Sequence, residues 1–95
     1  MQYIVLIHKN TDVAPTREAW EHFLSTAKAT GMFQGGSEIG ARRTIGAKEV
    51  PDTTASVGGF MRFDSDDLDG LLQLLQEHPL VACGGSLELC EMPVS

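Results

Sequence analysis

Apolar residues recur along the chain in two different periods, and the change from one to the other predicts the elements. Residues 2–7 read QYIVLI, a nearly unbroken run of β-formers. Such a run predicts a strand covered on both faces. A polar loop follows at residues 9–15. Thr16 is placed to cap a helix over residues 17–30, with Trp20, Phe23, Leu24 and Ala27 on one face and Glu18, Glu21, Ser25 and Lys28 on the other. Gly31 is placed as the left-handed residue that ends it. Residues 57–63, VGGFMRF, predict a strand, because the run is short and two glycines weaken a helix. Ser65 or Asp64 then caps a second helix, and the neighbouring aspartates suit the positive end of its dipole. Leu68, Leu71, Leu72 and Leu75 repeat at three and four, with Leu74 flanking them. His78 is expected at the end of this helix, where a charged imidazole favours the dipole. Pro79 stops the helix, since the residue before proline avoids the α region. Gly84 and Gly85 mark a turn, and Leu87 and Leu89 then alternate with Glu88 and Cys90 as a last strand.

Residues 32–45 are less regular. Met32 and Phe33 begin a strand, Gly35 and Gly36 interrupt it, and residues 39–45 are expected to return as a second strand, a hairpin with a bulge. Arg42 and Arg43 would then face opposite ways. Residues 46–55, with Pro51, predict a loop. The order strand, helix, two short strands, strand, helix, strand predicts an α+β chain, one ferredoxin-like split βαβ domain over residues 1–95. Both helices lie on one face of its antiparallel sheet. Tyr3, Val5 and Ile7 put apolar side chains on one face of the first strand, and Ile4 and Leu6 on the other. That pattern predicts a homodimer with two sheets packed face to face.

Composition narrows the partners. Thirteen acidic residues against seven basic ones set a formal net charge of −6. Nucleic-acid backbones and anionic membranes both favour a basic face, so neither is an expected partner. No apolar run approaches the roughly 18 residues of a membrane span. Met1 leads through Ile7 into His8, Lys9 and Asn10 without a cleavage-like segment, so the cytoplasm is the expected compartment. Cys83 and Cys90 lack metal spacing and are expected as buried or half-buried thiols, with no metal and no cofactor implied.

Four stretches in order, QYIVLIH, WEHFLSTAKATGMFQGG, GGFMRFDSDDLDGLL and EHPLVACGGSLELCEMP, resemble the YCII-related family, including its DGPF-type branch. The resemblance implies a small stand-alone cytoplasmic protein built as a dimeric α+β barrel. Some such proteins are lyase-like enzymes thought to use a histidine–aspartate pair. The chain departs from that pattern in two places. The histidine of enzyme-like members stands eleven residues before the glycine that ends the first helix. Counting back from Gly31, that place holds Trp20. The region EVPDTTASVGG lacks the DGPF motif.

Chemistry has few candidates. His8 closes the first strand beside a loop, a place from which imidazole can exchange a proton near neutral pH. His22 lies about 200° around the helix from Trp20 and should face solvent. Arg42 is a candidate for binding a carboxylate, Glu38 for a base beside Gly35 and Gly36, and Trp20 for lining a cavity or filling the core. The glycine pairs form no phosphate loop. The leading expectation is a protein that binds a small organic molecule between sheet and helices. A cofactor-free lyase or isomerase with His8 as base and a non-catalytic dimeric interaction module are the alternatives.

Overall fold

The computed structural model describes residues 1–94, the side chains of residues 52 and 53 apart. Its elements are β1 (Gln2–His8), α1 (Arg17–Ala29), β2 (Phe33–Glu38), a 3-10 turn (Asp52–Ser56), β3 (Val57–Asp64), α2 (Leu68–Gln76), α3 (Pro79–Ala82) and β4 (Leu87–Met92). The strands form one sheet in the order β2-β3-β1-β4, with antiparallel pairing throughout. This is the ferredoxin-like α+β arrangement that the order of elements predicts. Among the described residues no helix is long and apolar enough to cross a membrane.

Register decides which side chains share a face. Tyr3 pairs with Phe63 and Val5 with Met61, so these four point to the same side. Phe23 and Ala27 of α1 and Leu71, Leu74 and Leu75 of α2 pack on that side and complete the core. Val5, Phe63 and Leu71 are fully buried. The buried stripe of α2 differs from the one expected: Leu68 and Leu72 are exposed. Leu71, Leu74 and Leu75 are related by three and four positions, and that triplet meets the sheet.

The opposite face carries Ile4, Leu6, Phe60, Cys90 and Met92, placed there by the pairs Leu6–Phe60, Ile4–Cys90 and Gln2–Met92. All five are half-buried. The described helices all pack on the other side.

Caps explain where the helices begin. The Thr16 hydroxyl accepts from the Ala19 N–H (3.1 Å), as expected, and Gly31 takes the left-handed conformation with φ 76°. The cap of α2 is Asp67, whose carboxylate accepts from the Gly70 N–H at 3.0 Å, and not Ser65 or Asp64. Asp64 is still paired to Gln2 in the sheet. The buried Ser65 hydroxyl accepts from the Asp67 N–H (2.9 Å) and so shapes the turn that delivers the true cap.

Residues 39–45 do not form a strand. The Ile39 N–H donates to the Gly58 carbonyl (2.9 Å), and β3 begins at Val57, so β2 has no further backbone to pair with. Residues 40–51 run exposed and irregular, and Arg42 and Arg43 therefore lie on no strand. The expected bulge is present within β2, where the register shifts between Phe33 and Gly35.

Candidate ligand pocket

The helices do not fill the whole face they cover. A pocket of about 750 Å³ opens over the part of the sheet where β2 and β3 run beside the end of β1. Trp20 and Leu24 of α1, Phe33 of β2, Met61 of β3, Ile7 of β1 and Leu80 of α3 contribute apolar walls. Glycines line it where side chains would otherwise stand. Gly36 pairs with Met61 in register, and a Cβ there would collide with the Phe60 carbonyl oxygen. The two strands therefore approach closely, and backbone forms this part of the wall.

His8 stands at the mouth. The register of β1 on β3 shifts between Ile7 and His8, an irregularity of the kind that re-aims a side chain. Its Nδ1 lies 2.9 Å from the Ser56 hydroxyl, and its Nε2 donates to the Glu88 carboxylate. A carboxylate only accepts, so the Nε2 proton is held. In the neutral imidazole that leaves Nδ1 to accept from the Ser56 hydroxyl.

Trp20 is half-buried rather than core: it lines the pocket with one side and rests on His78 with another. The rings meet edge to face, with centroids 4.8 Å apart at 86°. Phe23 packs on the same imidazole at 4.6 Å. His78 is thus not the charged helix end expected from its position. α2 closes at Gln76, Glu77 caps it, and His78 turns extended to begin α3 with Pro79 at its first position. It is fully buried. Its Nδ1 accepts from the Leu80 N–H at 3.1 Å, so the proton sits on Nε2, which has no hydrogen-bonding partner among the described residues. Burial without a countercharge lowers its pKa from 6.5 to about 4.

The other candidates divide. Glu38 lines the pocket at the end of β2 and is exposed. Arg42 is not among the lining residues: its guanidinium donates to the carbonyls of Thr54 and Val57, tying down the exposed segment. His22 faces solvent, as expected. Cys83 and Cys90 are free, half-buried thiols. Lys28 is exposed on α1, as expected, and also borders the pocket together with Trp20 and Leu24, each four residues from the next. Ser56 and Glu88 join His8 only through the sheet, since 48 and 80 residues of chain separate them from it. The one local sign of Glu88 is its place opposite Leu87 and Leu89 in the last alternating run.

No family model and no curated protein matches the chain. Among solved structures, the chain is similar to 5-chloro-2-hydroxyhydroquinone dehydrochlorinase from Burkholderia phenoliruptrix, in complex with 2,5-dihydroxybenzoquinone, at 13% identity and a TM-score of 0.47, over 100% of this chain and 96% of that one.

The buried imidazole makes stability depend on pH. Above about pH 6.5 His78 is neutral in both folded and unfolded chains and adds no pH dependence. As pH falls from there towards about 4, the unfolded chain binds the proton first, and stability is lost by up to about 3 kcal/mol. Denaturant titrations across this window should therefore show a slope that His78→Gln flattens. An equal slope in both proteins would remove His78 as its source.

Proposed function

We propose that the protein binds a small organic molecule in the pocket between the sheet and helices α1 and α3. The observation that carries this reading is the pocket itself: about 750 Å³, walled by Trp20, Leu24, Phe33 and Met61, with His8, Glu38 and two lysines among its lining. Ligand sites are typically concave and mostly apolar, with a few polar groups that fix orientation. The four quoted stretches support placing the chain with the YCII-related proteins. With Trp20 where their enzyme-like members carry histidine, binding does not require a proton carrier on α1.

A second reading is catalysis with His8 as base. It is favoured by one arrangement: His8 is among the residues that line the pocket, and the Glu88 carboxylate outside it holds the Nε2 proton of its ring. The group that would take up a proton is then Nδ1, whose lone pair the Ser56 hydroxyl shares in the neutral ring. Glu88 would hold the ring in place through its Nε2 proton while Nδ1 takes up the second.

The same proposal includes a homodimer. The apolar side chains Ile4, Leu6, Phe60 and Met92 on the helix-free face support it, since a second sheet laid against them would remove them from water.

Three measurements test these readings. The environment-sensitive dye N-phenylnaphthylamine should bind saturably, and Trp20→Ala should weaken it by about tenfold or more, with Leu24→Trp blocking it by bulk. A dye signal that never saturates, or one indifferent to both variants, would dispose of the pocket as a binding site. If a turnover is found, His8→Gln should lose about 10²–10⁴-fold in rate while binding the same ligands; unchanged turnover ends the catalytic reading. Light scattering should give about twice the 10.3 kDa chain mass, and Leu6→Lys should halve it. A wild-type monomer at micromolar concentration would refute the dimer.

A further inference from the structure

We infer that the ligand is an organic anion, a flat aromatic body carrying a carboxylate or a similar head group that Lys28 receives. This rests on the pocket being a binding site and goes on to name what it selects.

Charge is the first observation. Acidic residues outnumber basic ones by thirteen to seven in the chain. The pocket lining reverses that balance: it holds Lys9 and Lys28 against the single carboxylate of Glu38. Neither lysine forms an ion pair among the described residues, although the surface of this chain is rich in carboxylates. Both lysines are exposed, so each stands at the rim of the pocket, where an unneutralised ammonium adds its attraction for an anion to the apolar contacts the walls offer.

Position separates the two lysines. Lys9 follows β1 and lies at the mouth of the pocket that Glu38 and His8 share. Its aliphatic stem runs over Gly58, where any Cβ would collide with it. Glu38 pairs in register with Gly59, the next residue, so a carboxylate already serves that end. Lys28 lies in the last turn of α1, beside the start of β2, at the other end. No lining carboxylate accompanies it there.

Shape is the second observation. Trp20, Leu24 and Lys28 form one line along α1, and eight residues of helix separate the indole from the ammonium-bearing residue by about 12 Å. The indole is held edge-on by His78 and cannot swing away without leaving that contact. Phe33 faces the same space from β2, its ring packed on Phe63 at a centroid distance of 5.5 Å. Rigid rings on both walls suit a flat ligand, and stacking on them is indifferent to its charge. Charge is read only at the Lys28 end.

Two dyes with the same aromatic skeleton make the test: N-phenylnaphthylamine, which is neutral, and anilinonaphthalene sulfonate, which adds one anionic group. Each is titrated into the wild-type protein, Lys28→Met and Lys9→Met, with thermal unfolding of the variants as the check on folding. Lys28→Met should weaken the sulfonate by about three- to tenfold and leave the neutral dye unchanged, and added salt should erode the wild-type preference for the sulfonate. Lys9→Met should have the smaller effect on the sulfonate. If the neutral dye binds but the sulfonate is indifferent to Lys28→Met and to salt, the anion assignment is wrong and the pocket reading stands. If neither dye binds, both readings fall together.

Discussion

A four-stranded sheet has two faces, and the described helices cover only one of them. The rest of the molecule follows from that shortage. Tyr3, Val5, Met61 and Phe63 receive α1 and α2 and become the core. Ile4, Leu6 and Phe60, one residue out of phase in the same strands, receive nothing from the described helices. Even the covered face is covered incompletely. Between α1 and the strands β2 and β3 the helices leave a gap, walled by Trp20 and Leu24 of α1 and Leu80 of α3, and the pocket opens there.

The pocket depends on what strands β2 and β3 lack as much as on what they carry. Side chains along a strand point alternately to its two faces, so a glycine on the helix side removes material from one place only. Gly36 and Gly59 are both on that side, through their pairings with Met61 and Ile7. Their neighbours in sequence, Gly35 and Gly58, fall on other faces or in the bulge. In an ordinary strand these pairs would be a weakness; here the two strands lean on each other by close backbone approach, and the space above them stays open.

Much of the fold was legible because its signals are local. QYIVLI could only be a strand, and Thr16 before an amphipathic run is a cap wherever it occurs. The cap of α2 was not legible, since Asp64, Ser65, Asp66 and Asp67 all have the chemistry to serve and only the last hydrogen bond of β3 decides among them. Residues 39–45 misled for a related reason: a strand needs a partner, and the length of the partner is written elsewhere in the chain. His78 before a proline reads equally as the close of one helix and the opening of another. What makes it a neutral, buried ring is Trp20 and Phe23 from α1, which no local pattern announces. His8 was visible as a histidine at a strand end. Its partners were not, because they arrive through pairings that join opposite ends of the chain.

The contact between Trp20 and His78 has a spectroscopic consequence. Trp20 is the only tryptophan in the chain, so excitation at the red edge of protein absorption reports from this one place. Indole emission moves to shorter wavelength as water leaves its surroundings, and an imidazolium in contact with it quenches the excited state, whereas neutral imidazole does so far less. The natural sequence therefore carries its own optical gauge. One side of the ring faces the pocket, and its contact with His78 reports whether that ring has taken up a proton.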